Sequence, residues 1–64
     1  MPMIKVEWLA GRSSQQREEL AKAITRAFVE IAKVSEDQVW IAFDDVPRTH
    51  WAMGGKLVDP GKPQ

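Results

Sequence analysis

Sixty-four residues carry nine Lys or Arg against nine Asp or Glu, a formal net charge of zero, with no cysteine and a single histidine. Those numbers exclude disulfide staples and leave no donor set for an ordinary zinc centre, so no metal is expected; the charges form no one-signed block to track a phosphate backbone, so nucleic acid is not an expected partner. No apolar stretch approaches the roughly 20 residues of a membrane span, and the N-terminus lacks the order of a signal peptide, which makes one domain over 1–64 in the cytoplasm, away from the membrane, the expectation.

The chain opens MPMIKVEWLAGRS. Proline donates no backbone hydrogen bond, so Pro2 suits the edge or the first residue of a strand. A small side chain at position 2 also lets the initiator methionine be removed, which would leave Pro2 with a free secondary amine, a possible base. From Met3 to Leu9 the residues alternate, with Ile4, Val6 and Trp8 on one side and Met3, Lys5, Glu7 and Leu9 on the other. That pattern predicts a strand with two usable faces.

Gly11 breaks the strand, and Ser13 with Gln16 three residues on matches a capping box. Leu20, Ile24, Ala27, Phe28 and Ile31 then form one apolar stripe on a helix expected from Ser14 to Lys33. Val39 to Phe43 reads as a second strand. A strand, a long helix and a strand predict a β-α-β crossover between parallel strands. One sheet face receives the helix; the other, bearing Met3, Leu9 or Trp40 according to register, should meet another subunit.

Asp44 to His50 is loop by composition, with Pro47 inside it. WAMGGKLV places Gly54 and Gly55 between short apolar runs, a hairpin signal. DPGKPQ, residues 59–64, reads as a flexible tail. The fold class is therefore α+β. A chain of 7.3 kDa buries only about 60% of the surface it exposes when unfolded. With disulfides and metal excluded, self-association is the remaining support, and Trp8, Trp40 and Trp51 are more large aromatics than one helix can cover.

Taken together, Pro2 behind the methionine, the GRS of Gly11 to Ser13, the β-α-β length and the HWAMGG of His50 to Gly55 resemble the 4-oxalocrotonate tautomerase family. The resemblance runs from Pro2 to about Val58. It implies a cofactor-independent isomerase that interconverts enol and keto forms of a 2-oxo acid, such as a 2-hydroxy-dienoate or an arylpyruvate. It further implies sheets paired between subunits into dimers, three of which make a hexamer whose active sites borrow residues from neighbours. Matching the family's motif, Pro2 would be the catalytic acid/base and Arg12 would hold the substrate carboxylate with its planar fork of donors. Trp51 stands where an aromatic keeps the proline's surroundings apolar, and Met3 and Leu9 match apolar wall positions.

The pattern departs at Trp40, where family members carry a second arginine that polarises the substrate carbonyl from a neighbouring subunit. A neutral indole cannot stabilise a developing enolate by charge, so a smaller or more apolar acid stacked on Trp40 is expected in place of the dicarboxylate 2-hydroxymuconate. Arg48 is a candidate substitute for that charge. His50 reads as a surface histidine. Two alternatives stand beside this reading. One is a hydratase or dehalogenase acting on an unsaturated acid, with Asp44 and Asp45 the only carboxylates near the second strand; the other is a non-catalytic oligomeric binding protein. A retained Met1 would make Pro2 a tertiary amide, unable to act as a base.

Overall fold

The structure is a computed structural model and describes residues 1–61. The alternating N-terminal segment forms β1 (Met3–Leu9). The chain turns at Gly11, whose φ of 129° falls where only glycine is at ease, and enters α1 (Ser14–Ala27). Its start is fixed by the expected capping box: Gln16 N–H donates to Ser13 Oγ at 3.1 Å, and Ser13 N–H donates to Gln16 Oε1 at 2.9 Å. Two orphan amide donors of the first turn are satisfied by these two side chains.

The helix differs from the expected single stretch to Lys33. At Phe28 the backbone widens into a π turn, Phe28–Ala32, and stops at Lys33 in the left-handed conformation, φ 60° and ψ 38°. A wider turn advances less per residue, so position 31 no longer returns to the face of Leu20, Ile24 and Phe28. Those three are half-buried, whereas Ile31 is 82% exposed and drops out of the predicted stripe; Ala27 is exposed as well.

A single 3₁₀ turn, Glu36–Gln38, leads into β2 (Trp40–Val46). The strand runs three residues further than the Val39 to Phe43 run predicted. Asp44, Asp45 and Val46, expected in a loop, pair with Glu7, Trp8 and Leu9 in a parallel ladder that begins at Met3 opposite Trp40. Full-length pairing with β1, together with side-chain partners for Asp45, overrides the low strand preference of aspartate. A 3₁₀ turn, Arg48–His50, then precedes the expected hairpin, β3 (Ala52–Met53) antiparallel to β4 (Lys56–Leu57). Gly54 and Gly55 turn it with φ of 59° and 82°, the pair of positive values that a two-residue turn of the primed type requires. The expected tail at 59–64 begins with fixed backbone, since Asp59 N–H donates to the Arg48 carbonyl at 3.2 Å; its residues 62–64 lie outside the described residues.

The parallel register assigns the faces. Ile4, Val6 and Trp8 share one with Ile41, Phe43 and Asp45, and α1 lies on that side, tied to it by an Arg17–Asp45 ion pair at 2.8 Å. The Trp8 and Phe43 rings meet there at 5.4 Å between centroids. The opposite face gathers Met3, Leu9 and Trp40 together, with Ala42 and Val46. Among the described residues nothing covers its N-terminal end: Met3 is 59% and Trp40 55% exposed.

Among the described residues none is fully buried. The radius of gyration, 15.7 Å, exceeds the about 11 Å of a compact chain this long. The accessible surface of 5204 Å² exceeds by about 1,000 Å² what a compact monomer of this mass exposes. That excess matches the roughly 800 Å² one partner gives up in a standard interface. Among the described residues no helix is long and apolar enough to cross a membrane.

Candidate active site

The site residues expected from sequence fall at the two ends of one strand. Pro2 immediately precedes β1, half-buried, and its carbonyl accepts from Trp40 N–H at 3.0 Å, so the ladder begins at the proline. Met3 and Trp40 are register partners on the open face beside it. Arg12 follows the other end of β1. Seven strand residues at about 3.3 Å each separate the two by more than about 20 Å within one chain. Leu9 also lies at the Arg12 end, opposite Val46.

Arg12 is held in place by a chain of contacts that runs through the helix and both strands. Its guanidinium stacks over the Trp8 ring, 5.5 Å from the centroid, a cation–π contact. The Trp8 indole N–H donates to Asp45 Oδ1. Asp45 Oδ2 accepts from Arg17 Nη1 at 2.8 Å, and the same nitrogen donates to the Arg12 carbonyl at 3.1 Å. Arg17 therefore fixes the backbone of Arg12 and, through Asp45 and Trp8, the surface on which its side chain rests. Sequence reading missed this network and took Asp45 for a solvated loop residue. No local signal could have found it, because Arg17 and Asp45 are 28 residues apart and meet only once the parallel register is set.

The remaining candidates lie on the segment that leaves β2. Ala10 N–H donates to the Val46 carbonyl at 2.9 Å, which ties the turn holding Arg12 to the end of that strand. The Arg48 guanidinium folds back over the turn, its Nη2 3.9 Å from where a Cβ would stand on Gly11. Trp51 is half-buried, and its carbonyl accepts from Val58 N–H at 2.8 Å. His50 is exposed in the 3₁₀ turn. Asp44, exposed on the open face, stands opposite Glu7 in the ladder.

One protomer thus gathers the cations and Trp51 on elements at one end of the strand pair, and the proline and Trp40 at the other. A groove of about 440 Å³ runs along α1 past Ala21, Thr25 and Val29, and an apolar hollow of about 170 Å³ opens at the π turn. Neither includes Pro2, Arg12, Trp40 or Trp51.

Comparison with known proteins follows the same outline. The profile of the family described as tautomerase enzyme matches residues 2–60. A 2-hydroxymuconate tautomerase of Comamonas testosteroni is 33% identical over 55 residues, 86% of this chain and 87% of that protein. A solved 4-oxalocrotonate tautomerase homologue superposes with a TM-score of 0.89 at 27% identity, covering 98% of this chain and 100% of the other. A heterohexamer 4-oxalocrotonate tautomerase from Chloroflexus aurantiacus J-10-fl superposes at 0.82 with 34% identity, covering 91% of this chain and 94% of its own. With strands, crossover helix and hairpin all inside the matched span, the chain belongs to the tautomerase family.

Proposed function

We propose that this chain is a cofactor-independent tautomerase of 2-oxo acids, with Pro2 as acid/base and Arg12 as carboxylate holder, and that each active site is shared between copies. The observation that carries this reading is the placement of Pro2 and Arg12 at opposite ends of β1, in a chain that encloses no core of its own among the described residues. Two β1 strands paired antiparallel about a two-fold near Val6 would set Pro2 of one copy opposite Ala10 of the other. That is two residues short of Arg12, a gap that an arginine side chain spans. The same pairing repeats at the other end, giving two sites per dimer. The open face carrying Met3, Leu9 and Trp40 would then pack dimer against dimer, in the manner of a hexamer built as a trimer of dimers.

The chemistry needs no bound group beyond the chain. Removal of Met1, which is 79% exposed, leaves Pro2 with a secondary amine. Apolar walls from Met3 and from neighbouring copies, Trp51 of another copy among them, would disfavour its protonated form, so that part of it is free base near neutral pH. The amine nitrogen takes the 2-hydroxyl proton of an enol acid as the C2=O bond forms. It returns a proton to carbon, and the amine ends as it began. Arg12 holds the carboxylate in a fixed orientation throughout, which converts an encounter into a positioned reaction. Trp40 offers a flat apolar surface at the Pro2 end, suited to an aryl or short alkyl group.

The hydratase or dehalogenase alternative needs a carboxylate free to activate water. Asp45 is engaged by Arg17 and Trp8, which leaves that alternative only Asp44, exposed on the open face opposite Glu7. Ketonisation of enol phenylpyruvate, measured with protein whose intact mass confirms methionine removal, tests the proposal. Pro2→Ala is expected to lower kcat/KM by about 10²-fold or more, and Arg12→Ala by a similar factor. Unchanged rates in both variants would remove the assignment.

A further inference from the structure

The turn that carries Arg12 carries a second guanidinium. Arg48 belongs to a different element, the 3₁₀ turn after β2, yet its side chain closes over Gly11, with Nη2 3.9 Å from the position of a Cβ there. Its backbone is pinned from two sides. The Arg48 carbonyl accepts from Asp59 N–H at 3.2 Å, and His50 N–H closes the 3₁₀ turn onto the Pro47 carbonyl at 2.8 Å. The turn beneath it is pinned as well, through Ala10 N–H to the Val46 carbonyl.

Among the described residues neither cation has a carboxylate partner. The ion pairs among the described residues are Lys5–Glu7, Arg17–Asp45 and Lys22–Glu18. Asp45 is engaged by Arg17 and Trp8, and Asp59 Oδ1 accepts from Gly61 N–H. Guanidiniums carried on adjoining, hydrogen-bonded turns with no carboxylate partner among the described residues can donate charge-assisted hydrogen bonds to an anion that reaches both. Two cations carried on adjoining turns, Arg48 over Gly11 and Arg12 over Trp8, point to a ligand whose negative charge is concentrated at one end.

We propose that Arg48 is the second substrate-binding cation of the site, gripping with Arg12 the adjoining carboxylate and 2-oxygen of a 2-oxo acid. The identity of the ligand rests on the tautomerase reading. Both cations come from one subunit, so all the anionic recognition lies at one pole of the substrate. The opposite pole, where Trp40 stands, is left for an apolar substituent. The preferred substrate class is therefore a 2-oxo monoacid with an aryl or alkyl tail rather than an acid charged at both ends. Arg48 also stabilises the charge that gathers on the 2-oxygen as the enolate forms.

The test separates this proposal from the one it rests on by measuring binding where turnover is slowed. In the Pro2→Ala background, the affinities of phenylpyruvate and of 3-phenylpropionate, which lacks only the 2-oxo group, are measured by calorimetry. Adding Arg48→Ala is expected to weaken phenylpyruvate about tenfold and 3-phenylpropionate by much less, and Arg48→Lys to recover part of the loss. Should Arg48→Ala alter the assembly in sedimentation, Arg48→Gln, which keeps a polar side chain without the charge, replaces it. Unchanged phenylpyruvate affinity, or equal losses for the two acids, overturns the role of Arg48 whatever the rate of the wild-type protein. Failure of Pro2→Ala to lower turnover would instead count against the proline alone.

Discussion

The two ends of the parallel strand pair are built differently. At the N-terminal end one backbone hydrogen bond, from Trp40 N–H to the Pro2 carbonyl, opens the ladder, and the large side chains there, Met3 and Trp40, lie exposed on an uncovered face. At the C-terminal end Arg17, Asp45, Trp8 and Arg12 form a connected series, backed by Ala10 on Val46 and Asp59 on Arg48. One end is tied together within the chain, and the other is open among the described residues. A group that binds charge needs a fixed geometry, which a single fold can supply. The amine proposed as the acid/base would need walls on every side, more than a chain of 64 residues supplies alone.

The sharpest way to break this contrast is to put its halves on different chains. Pro2→Ala and Arg12→Ala proteins, each nearly inactive, are expected to regain roughly a quarter of the wild-type rate when unfolded, mixed in equal amounts and refolded, since half the dimers are mixed and each holds one intact site. No recovery in a ketonisation assay would place the two residues in the same copy. Changing the open end is next in size. Trp40→Arg adds charge at the apolar pole and is expected to shift the ratio of kcat/KM for 2-hydroxymuconate over enol phenylpyruvate upward by about tenfold or more.

Loosening the tied end has a smaller effect. Asp45→Ala frees both Arg17 and the Trp8 indole, and is expected to cost about 1–2 kcal/mol in denaturant unfolding and to raise KM a few-fold while leaving kcat nearly unchanged, because Arg12 loses its support rather than its charge. The smallest expected effect lies far from both ends. Lys33→Gly relieves a left-handed non-glycine residue at the helix stop and should stabilise the protein by up to about 1 kcal/mol, read as a higher Tm with unaltered kinetics.

Much of the architecture was legible in the residues themselves. Alternation in MIKVEWL, the Ser13 and Gln16 capping box and the Gly54–Gly55 turn are local signals, and the structure carries each of them. The extension of β2 through Asp44, Asp45 and Val46 was not legible, because aspartate is a poor strand former and only pairing with Glu7, Trp8 and Leu9 makes those residues a strand. The same register decides which side chains share a face, and sequence left open whether Met3, Leu9 or Trp40 stood on the uncovered one. The π turn at Phe28 was hidden for a related reason, since its apolar residues fit an α-helix equally well. Of the candidate site, motifs offered residues but not their proximity: Arg48 over Gly11 joins residues 37 positions apart in the chain.

A site cut across the length of one strand also bears on descent. If a gene for such a chain is duplicated, one copy is free to lose its proline and the other its arginine while every second site in the mixed assembly stays whole. Two specialised partners, neither able to act alone, then emerge by simple loss, with no new residue invented on either. With the site shared as proposed, the distance between Pro2 and Arg12 along β1 would be an opening for division of labour.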